Sequence, residues 1–302
     1  MVQDLAIQDV HRVGVVGSGT MGSQIAQLFA THDFMVNLTD ISSEQLHSAT
    51  TTIRQNLDQY FVKKGKISED ECAAILGRIN AVPDLATALG DRQFVIEAVY
   101  EDIAVKKQVF KSLDALSPPT AVLASNTSGL SITSMAEQTS RPNLVVGMHF
   151  FNPVAVMKLV EVVKTKETSP TVVDLARQLA DRLGKTSVTC NDTPSFIANR
   201  CYEGLLEQAL WLVFEGMASP QDIDTAMKLG YNFPIGPMEL QDRIGTWGLI
   251  LHQPTTRWMP DLSPTGKARL RDMLDRRYLG RYSESIGKGI YDYWNEFIAP
   301  NT

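Results

Sequence analysis

The sequence predicts an α/β domain built on a largely parallel sheet, followed by a second, mostly α-helical domain, and three observations carry that expectation. Short runs rich in Val, Ile and Leu alternate with helix-length segments through the first part of the chain, the pattern of strands joined by crossover helices. A glycine-rich turn, Gly17-Ser18-Gly19-Thr20-Met21-Gly22, stands between the first such run and the first helical segment. The last strand-like run is Thr186-Ser187-Val188-Thr189-Cys190, beyond which the chain reads as helical for nearly all its length. The domain boundary is therefore placed at residues 1–190 and 191–302.

The composition bounds the reading. A chain of 302 residues, 44% hydrophobic and 21% charged, is long enough for two domains with cores of their own. A net charge of −6 argues against nucleic acid as a partner. It leaves room for a phosphate-bearing ligand, because helix amino termini bind such groups inside acidic proteins. Cys72, Cys190 and Cys201 are odd in number and lack CxxC spacing, so neither a disulfide framework nor a metal site is expected, and a reducing cytoplasm fits. Asp4 and Asp9 near the start argue against a signal peptide, and no run approaches membrane-spanning length.

Taken in order, Arg12-Val13-Gly14-Val15-Val16 reads as a buried strand and the glycine turn then opens a helix from Ser23 to Ala30. In a dinucleotide-binding turn the first glycine permits the bend and the second lets a pyrophosphate approach the backbone. The third lets helix and strand pack closely. Phe34–Thr39 is a second strand ending in Asp40, at the distance expected of an acid that bonds the adenosine ribose. An acid there would repel a 2′-phosphate and select NAD over NADP; helix capping is its plainer role, although Ser42 and Ser43 already offer caps.

The segment from about 43 to 78 departs from the strand-helix rhythm and reads as a helical hairpin. Its first helix runs through Val62, a Lys63-Lys64-Gly65-Lys66 break follows, and Ser68 with Glu71 forms a capping box for the second. The lysines suit a helix carboxyl end, and a contact to a substrate phosphate is the sharper reading. Two more units follow. Phe94–Val99 leads to a helix from about Asp102 to Leu116, with Glu101 and Lys106 at its start in a position to face a cofactor. Ala121–Ala124 then ends in the polar tetrad Ser125-Asn126-Thr127-Ser128.

Leu144-Val145-Val146-Gly147-Met148 reads as a buried strand that delivers His149 to the carboxyl edge of the sheet, where such folds bind ligands. In the next segment Met157, Leu159, Glu161 and Val163 share one face by strand alternation. A buried carboxylate needs a partner, and His149 is available. Accepting from one ring nitrogen, Glu161 would fix the tautomer and leave the other nitrogen free as a base. The plainer reading is a His bonded to a backbone carbonyl and a Glu on a solvated edge. A helix from Pro170 to Leu183 ends at Gly184, and Thr193 with Pro194 is expected to start a long helix ending at Gly216, with Asn199 inside it.

Ser125-Asn126-Thr127-Ser128, His149-Phe150-Phe151-Asn152-Pro153, Met157-Lys158-Leu159-Val160-Glu161, Asp192-Thr193-Pro194 and Asn199-Arg200, in that order, resemble the motif series of the short-chain L-3-hydroxyacyl-CoA dehydrogenases. The resemblance runs from the first glycine to about Leu240. It implies a Rossmann-like NAD domain, a helical C-terminal domain that forms a homodimer, and reversible NAD-dependent oxidation of a short L-3-hydroxyacyl-CoA, such as 3-hydroxybutyryl-CoA, to the 3-oxoacyl-CoA. It assigns His149 as catalytic base, Glu161 as its orienting acid, and Ser128 and Asn199 as groups bonding the substrate. Cofactor contacts fall on Gly17, Gly19, Thr20, Met21, Gly22, Asp40, Glu101, Lys106, Ser128 and Asn152. Acyl-CoA contacts fall near Asn56 and Lys63, which favours the phosphate reading of Lys63.

The C-terminal part departs from the family pattern at Ile244-Gly245-Thr246-Trp247 and at Leu279-Gly280-Arg281-Tyr282, with extra residues before Gly287-Lys288-Gly289-Ile290-Tyr291. Two other readings therefore stand beside the first. One is a paralogue acting on another thioester, for example one on a carrier protein docked by Arg269, Arg271, Arg276 and Arg277, although a solvated helix face is the plainer role of that cluster. The other is a non-catalytic NAD(H)-binding protein, against which the intact Ser128, His149, Glu161 and Asn199 set speaks.

Overall fold

The computed structural model describes residues 6–245, 262–278 and 287–301. The chain divides into two compact units, Met1–Asn199 and Arg200–Thr302. The departures at Thr246-Trp247 and Leu279–Tyr282 lie outside the described residues.

The first unit carries one eight-stranded sheet in the order β3-β2-β1-β4-β5-β6-β7-β8. The strands are β1 (Arg12–Val16), β2 (Met35–Thr39), β3 (Ile79–Ala81), β4 (Phe94–Glu97), β5 (Val122–Ser125), β6 (Val145–Phe150), β7 (Leu159–Lys164) and β8 (Thr186–Asn191). Every pairing is parallel except β6 with β7. The apolar runs are continuous rather than alternating because both faces are covered. Val13, Val15, Phe94, Ile96, Val146 and Met148 pack on one face, and Val16, Val95, Leu123, Val145 and Val163 on the other.

Helix α1 (Thr20–Thr31) follows β1, and α2 (Ser43–Leu57) follows β2 with Ser42 as its cap. A wide turn over Asp58–Val62 extends α2 toward the hairpin tip. Helix α3 (Glu69–Gly77) returns from it, and the Ser68–Glu71 capping box is present with both of its hydrogen bonds. Helices α4 (Leu85–Leu89), α5 (Ile103–Leu116), α6 (Ile132–Ala136) and α7 (Pro170–Arg182) complete the layer elements. Strand β3 and helices α4 and α6 are additions to the sequence reading. Ile79-Asn80-Ala81 is a short, partly exposed edge strand, so it has no apolar run to betray it.

One expectation is corrected. The helix predicted to begin at Pro194 begins at Ala198, as α8 (Ala198–Phe214). Ser195 and Phe196 adopt left-handed backbone angles, φ 62° and 52°, which no α-helix can contain. The turn they make aims the Ile197 and Ala198 N–H groups at Glu161 on β7. That tie holds residues 197 and 198 to β7 of the first unit, which extends to Asn199.

The second unit is helical. It holds most of α8, then α9 (Pro220–Tyr231), α10 (Pro237–Ile244) and the helices Pro264–Asp275 and Ile290–Tyr293. Leu206, Leu210, Phe214, Met238, Met273 and Tyr293 form its core. Buried Asp224 caps α10 from outside, accepting from Met238 N and Glu239 N, both at 2.8 Å. Among the described residues no helix is long and apolar enough to cross a membrane.

Candidate active site

The glycine turn lies between β1 and α1. Gly17 has φ +99°, and a Cβ there would sit 2.5 Å from the Ala98 carbonyl oxygen. A Cβ on Gly22 would lie 1.8 Å from the Gly17 oxygen, so the turn closes only without one. Around Gly19, by contrast, a Cβ would meet nothing within 4 Å. Gly19 is also the N-cap of α1 and supplies no side-chain cap. The helix start thus combines open space with N–H groups that have no intrahelical partner, including those of Thr20, Met21 and Gly22, which fits the pyrophosphate of a dinucleotide. Asp40, just past β2, accepts from Ser18 N at 2.7 Å, Ser18 Oγ at 3.0 Å and Ser42 N at 3.0 Å. Of the roughly four acceptor positions on a carboxylate, this leaves one for a ribose hydroxyl.

A buried ionic network occupies the ends of β4 and β5. Glu97 is fully buried and accepts from Lys106 Nζ at 2.6 Å, Ser125 Oγ at 2.6 Å and Val99 N at 2.7 Å. Lys106 is buried too, and its ammonium also reaches Glu101 at 3.2 Å and the Val99 oxygen at 3.2 Å. Its three protons are therefore all engaged by protein, so its effect on a ligand passes through Glu101. Glu101 accepts from Thr127 Oγ1 at 2.5 Å, Ser128 N at 2.9 Å and Ser128 Oγ at 3.1 Å. Burial alone would raise the Glu101 carboxyl, but Lys106 and these donors outweigh it and hold it below the usual range. Asn199, at the start of α8, donates from Nδ2 to the Ser128 oxygen at 3.2 Å.

His149 and Glu161 are direct cross-strand partners in the antiparallel β6–β7 pair. His149 Nδ1 lies 2.7 Å from Glu161 Oε2. The other oxygen, Oε1, accepts from Ile197 N at 3.1 Å and Ala198 N at 2.8 Å. Burial pushes the Glu161 carboxyl up, while the His149 hydrogen bond and the two backbone donors pull it further down, so the net direction is below the usual range. An ionised Glu161 can only accept, which places the Nδ1 proton between the pair and makes Nε2 the acceptor nitrogen of the neutral imidazole. The rings of Phe151 and Phe196 lie 4.3 and 5.9 Å from the imidazole by centroid. Burial, followed by Glu161 and Asp192, pushes the nearby Cys190 thiol up to about 11, which makes it a poor nucleophile.

The remaining sequence-derived candidates are spread. Asn152 accepts from Gln24 Nε2 of α1 at 3.0 Å. Asn56 and Lys63 belong to the hairpin, where exposed Lys63 pairs with Asp58 at 2.7 Å. Glu97, Gln24 and the turn at Ser195-Phe196 went unread in the sequence. Glu97 carried the same signal that singled out Glu161, an acid inside an apolar strand. Gln24 carried none.

A helix start shaped to fit a pyrophosphate and an imidazole–carboxylate pair on strands of one doubly wound sheet fit one class, a dinucleotide-dependent oxidoreductase. The family model of the 3-hydroxyacyl-CoA dehydrogenase NAD binding domain matches residues 12–193, and that of the C-terminal domain matches residues 196–293. The chain is 39% identical over 286 residues to a probable 3-hydroxybutyryl-CoA dehydrogenase of Bacillus subtilis, covering 94% of this chain and 98% of the relative. It is 41% identical over 240 residues to the human mitochondrial hydroxyacyl-coenzyme A dehydrogenase, covering 78% of this chain and 76% of the relative. The crystal structure of (S)-3-hydroxybutyryl-CoA dehydrogenase from Ralstonia eutropha matches with a TM-score of 0.84 at 36% identity, over 93% of this chain and 98% of that one. The chain belongs to the 3-hydroxyacyl-CoA dehydrogenase family, and NAD is its cofactor.

Proposed function

We propose that this chain interconverts short L-3-hydroxyacyl-CoA and 3-oxoacyl-CoA esters, 3-hydroxybutyryl-CoA among them, with His149 as the catalytic base. The observation that carries the reading is the 2.7 Å contact between His149 Nδ1 and a Glu161 whose other oxygen is pinned by two backbone N–H groups. His149 Nε2 takes the proton of the 3-hydroxyl. Glu161 stabilises the imidazolium that results. Ser128 and Asn199 hold the reacting oxygens. NAD, when bound, supplies the hydride acceptor. The glycine turn holds its pyrophosphate, Asp40 its adenosine ribose, and Glu101, Ser128 and Asn152 its nicotinamide end, with Lys106 acting through Glu101. In the reverse direction His149 returns the proton to the carbonyl oxygen.

Asn56 and Lys63 complete the reading as contacts to the CoA moiety. The Lys63–Asp58 pair is exposed, and such pairs contribute little, so a phosphate can replace Asp58. Docking to a carrier protein has less support, because Arg269 is bonded to the Phe214 oxygen at 3.0 Å and Arg276 to Asp272 at 2.8 Å. Homodimerisation through the second unit belongs to the same reading, supported by exposed Leu229, Tyr231 and Ile244. Light scattering should return twice the chain mass; a monomer at micromolar concentration would remove this part. A cytoplasmic location is consistent with the three free cysteines.

The test is NADH oxidation by the purified protein with acetoacetyl-CoA, with NADPH as control. Fast, NADH-selective turnover is expected, and its absence with NADH bound would overturn the acyl-CoA reading. Gly19→Ala provides the cofactor arm. Its methyl enters open space, so stability should change by no more than about 0.5 kcal/mol, as at an ordinary surface site. NADH affinity should fall roughly tenfold or more, because the methyl takes the space needed for close approach to the pyrophosphate. Unchanged NADH affinity would remove the pyrophosphate from this turn.

A further inference from the structure

Gln24 in α1 makes two hydrogen bonds that together determine how Asn152 is turned. Its Oε1 accepts from Val154 N at 2.7 Å, and its Nε2 donates to Asn152 Oδ1 at 3.0 Å. A backbone N–H can only donate, so Val154 requires the oxygen of Gln24. Gln24 must then present its NH2 to Asn152, and Asn152 must answer with its oxygen. The Asn152 NH2 is left over, with no protein partner among the described residues. The loop has anchors besides Gln24. Val154 is buried, and Lys185 Nζ donates to the Val154 oxygen at 2.5 Å and the Met157 oxygen at 3.0 Å.

We propose that Gln24 is a positioning residue that sets the hydrogen-bonding polarity of Asn152, so that Asn152 offers the nicotinamide carboxamide a donor for its carbonyl oxygen and not an acceptor for its NH2. The proposal rests on the reading of Asn152 as a cofactor contact and says which half of the carboxamide it recognises.

The polarity is read by comparing NADH with reduced 3-acetylpyridine adenine dinucleotide, which keeps the carbonyl and lacks the NH2. Binding is measured by fluorescence titration without acyl substrate. A donor finds the carbonyl in both, so the wild type should bind the two within roughly threefold. In Gln24→Glu the carboxylate still accepts from Val154 N, but its second oxygen cannot donate. Asn152 then turns its NH2 to Glu and its oxygen to the cofactor. NADH can rotate its carboxamide to supply an N–H, whereas the acetyl analogue cannot. The affinity ratio should shift roughly tenfold against the analogue, the weight of one hydrogen bond. The added charge acts on both dinucleotides alike, so the ratio is the readout.

Asn152→Asp, which offers only acceptors, should show the same selective loss and calibrates it. Gln24→Met, which leaves Asn152 free to turn, should weaken both ligands by the same factor. If Asn152→Ala leaves both affinities unchanged, the cofactor reading of Asn152 falls and the proposal with it. If Asn152→Ala weakens both but Gln24→Glu leaves the ratio at the wild-type value, the cofactor reading stands and the role of Gln24 is overturned. A selective loss in Gln24→Met would overturn it as well.

Discussion

Replacing His149 by alanine is expected to lower kcat about 10³-fold, within the range of a lost general base, while leaving the Kd for NADH within about twofold. The imidazole lies near the Phe151 and Phe196 rings with Nδ1 committed to Glu161, so its one ring nitrogen without a partner among the described residues is Nε2. None of the groups read as holding the dinucleotide bonds to it, which is why affinity and rate separate. A 10³-fold loss corresponds to about 4 kcal/mol of transition-state stabilisation. Part of that is the removal of a base, and part is a Glu161 charge left without its imidazolium partner. Stopped-flow oxidation of NADH with acetoacetyl-CoA measures the rate, and fluorescence titration measures the affinity. A kcat within tenfold of the wild type would remove His149 from the proton transfer. Loss of NADH binding together with rate would point instead to a damaged fold.

Glu161→Gln should lower kcat by a similar factor, about 10³-fold or more, although it removes no side-chain atom and opens no cavity. The reason is the same kind of constraint that holds Gln24. Ile197 N and Ala198 N only donate, so an amide at position 161 must give them its oxygen and turn its NH2 to His149 Nδ1. The imidazole must then accept at Nδ1 and carry its proton on Nε2, the atom that has to receive the substrate proton. The base is present but in the wrong tautomer. Stability carries a second signature. Glu161 titrates below its reference value of 4.5, so its contribution to folding is present above that pH and is lost as pH falls through its folded value. Chemical denaturation at pH 7 and at pH 3.5 should therefore show the stability gap between wild type and Glu161→Gln narrowing in acid. A variant with near-normal kcat would mean that the tautomer does not govern the reaction, and an unchanged gap would mean that Glu161 is not held ionised by the fold.

Much of this protein is written in short stretches of its chain. The strands are legible because a sheet covered on both faces demands unbroken apolar runs, and Val13–Val16, Phe94–Ile96 and Val145–Met148 supply them. The hairpin is legible because Ser68 and Glu71 cap its second helix from three residues apart, and the glycine turn because its spacing is itself the geometry. Even the approach of His149 to Glu161 could be anticipated, since alternation puts Glu161 inside and a buried carboxylate must find a donor. Four features waited for the tertiary structure. The β6–β7 pairing is antiparallel and in a register that sets His149 opposite Glu161, where a slip of one residue would turn Glu161 to the other face. The left-handed turn at Ser195-Phe196 sends two N–H groups to that carboxylate against the local preference of both residues. Lys106, which looked free to meet a cofactor, is enclosed by Glu97 and Glu101. Gln24 meets Asn152 and Val154 from the far end of the unit's sequence. Local stretches encode what depends on propensity, period and capping, because those energies act over a few residues. Which donor answers which acceptor across long separations is decided only when the sheet closes, because burial then removes water as the alternative partner and each N–H must find an oxygen within the protein.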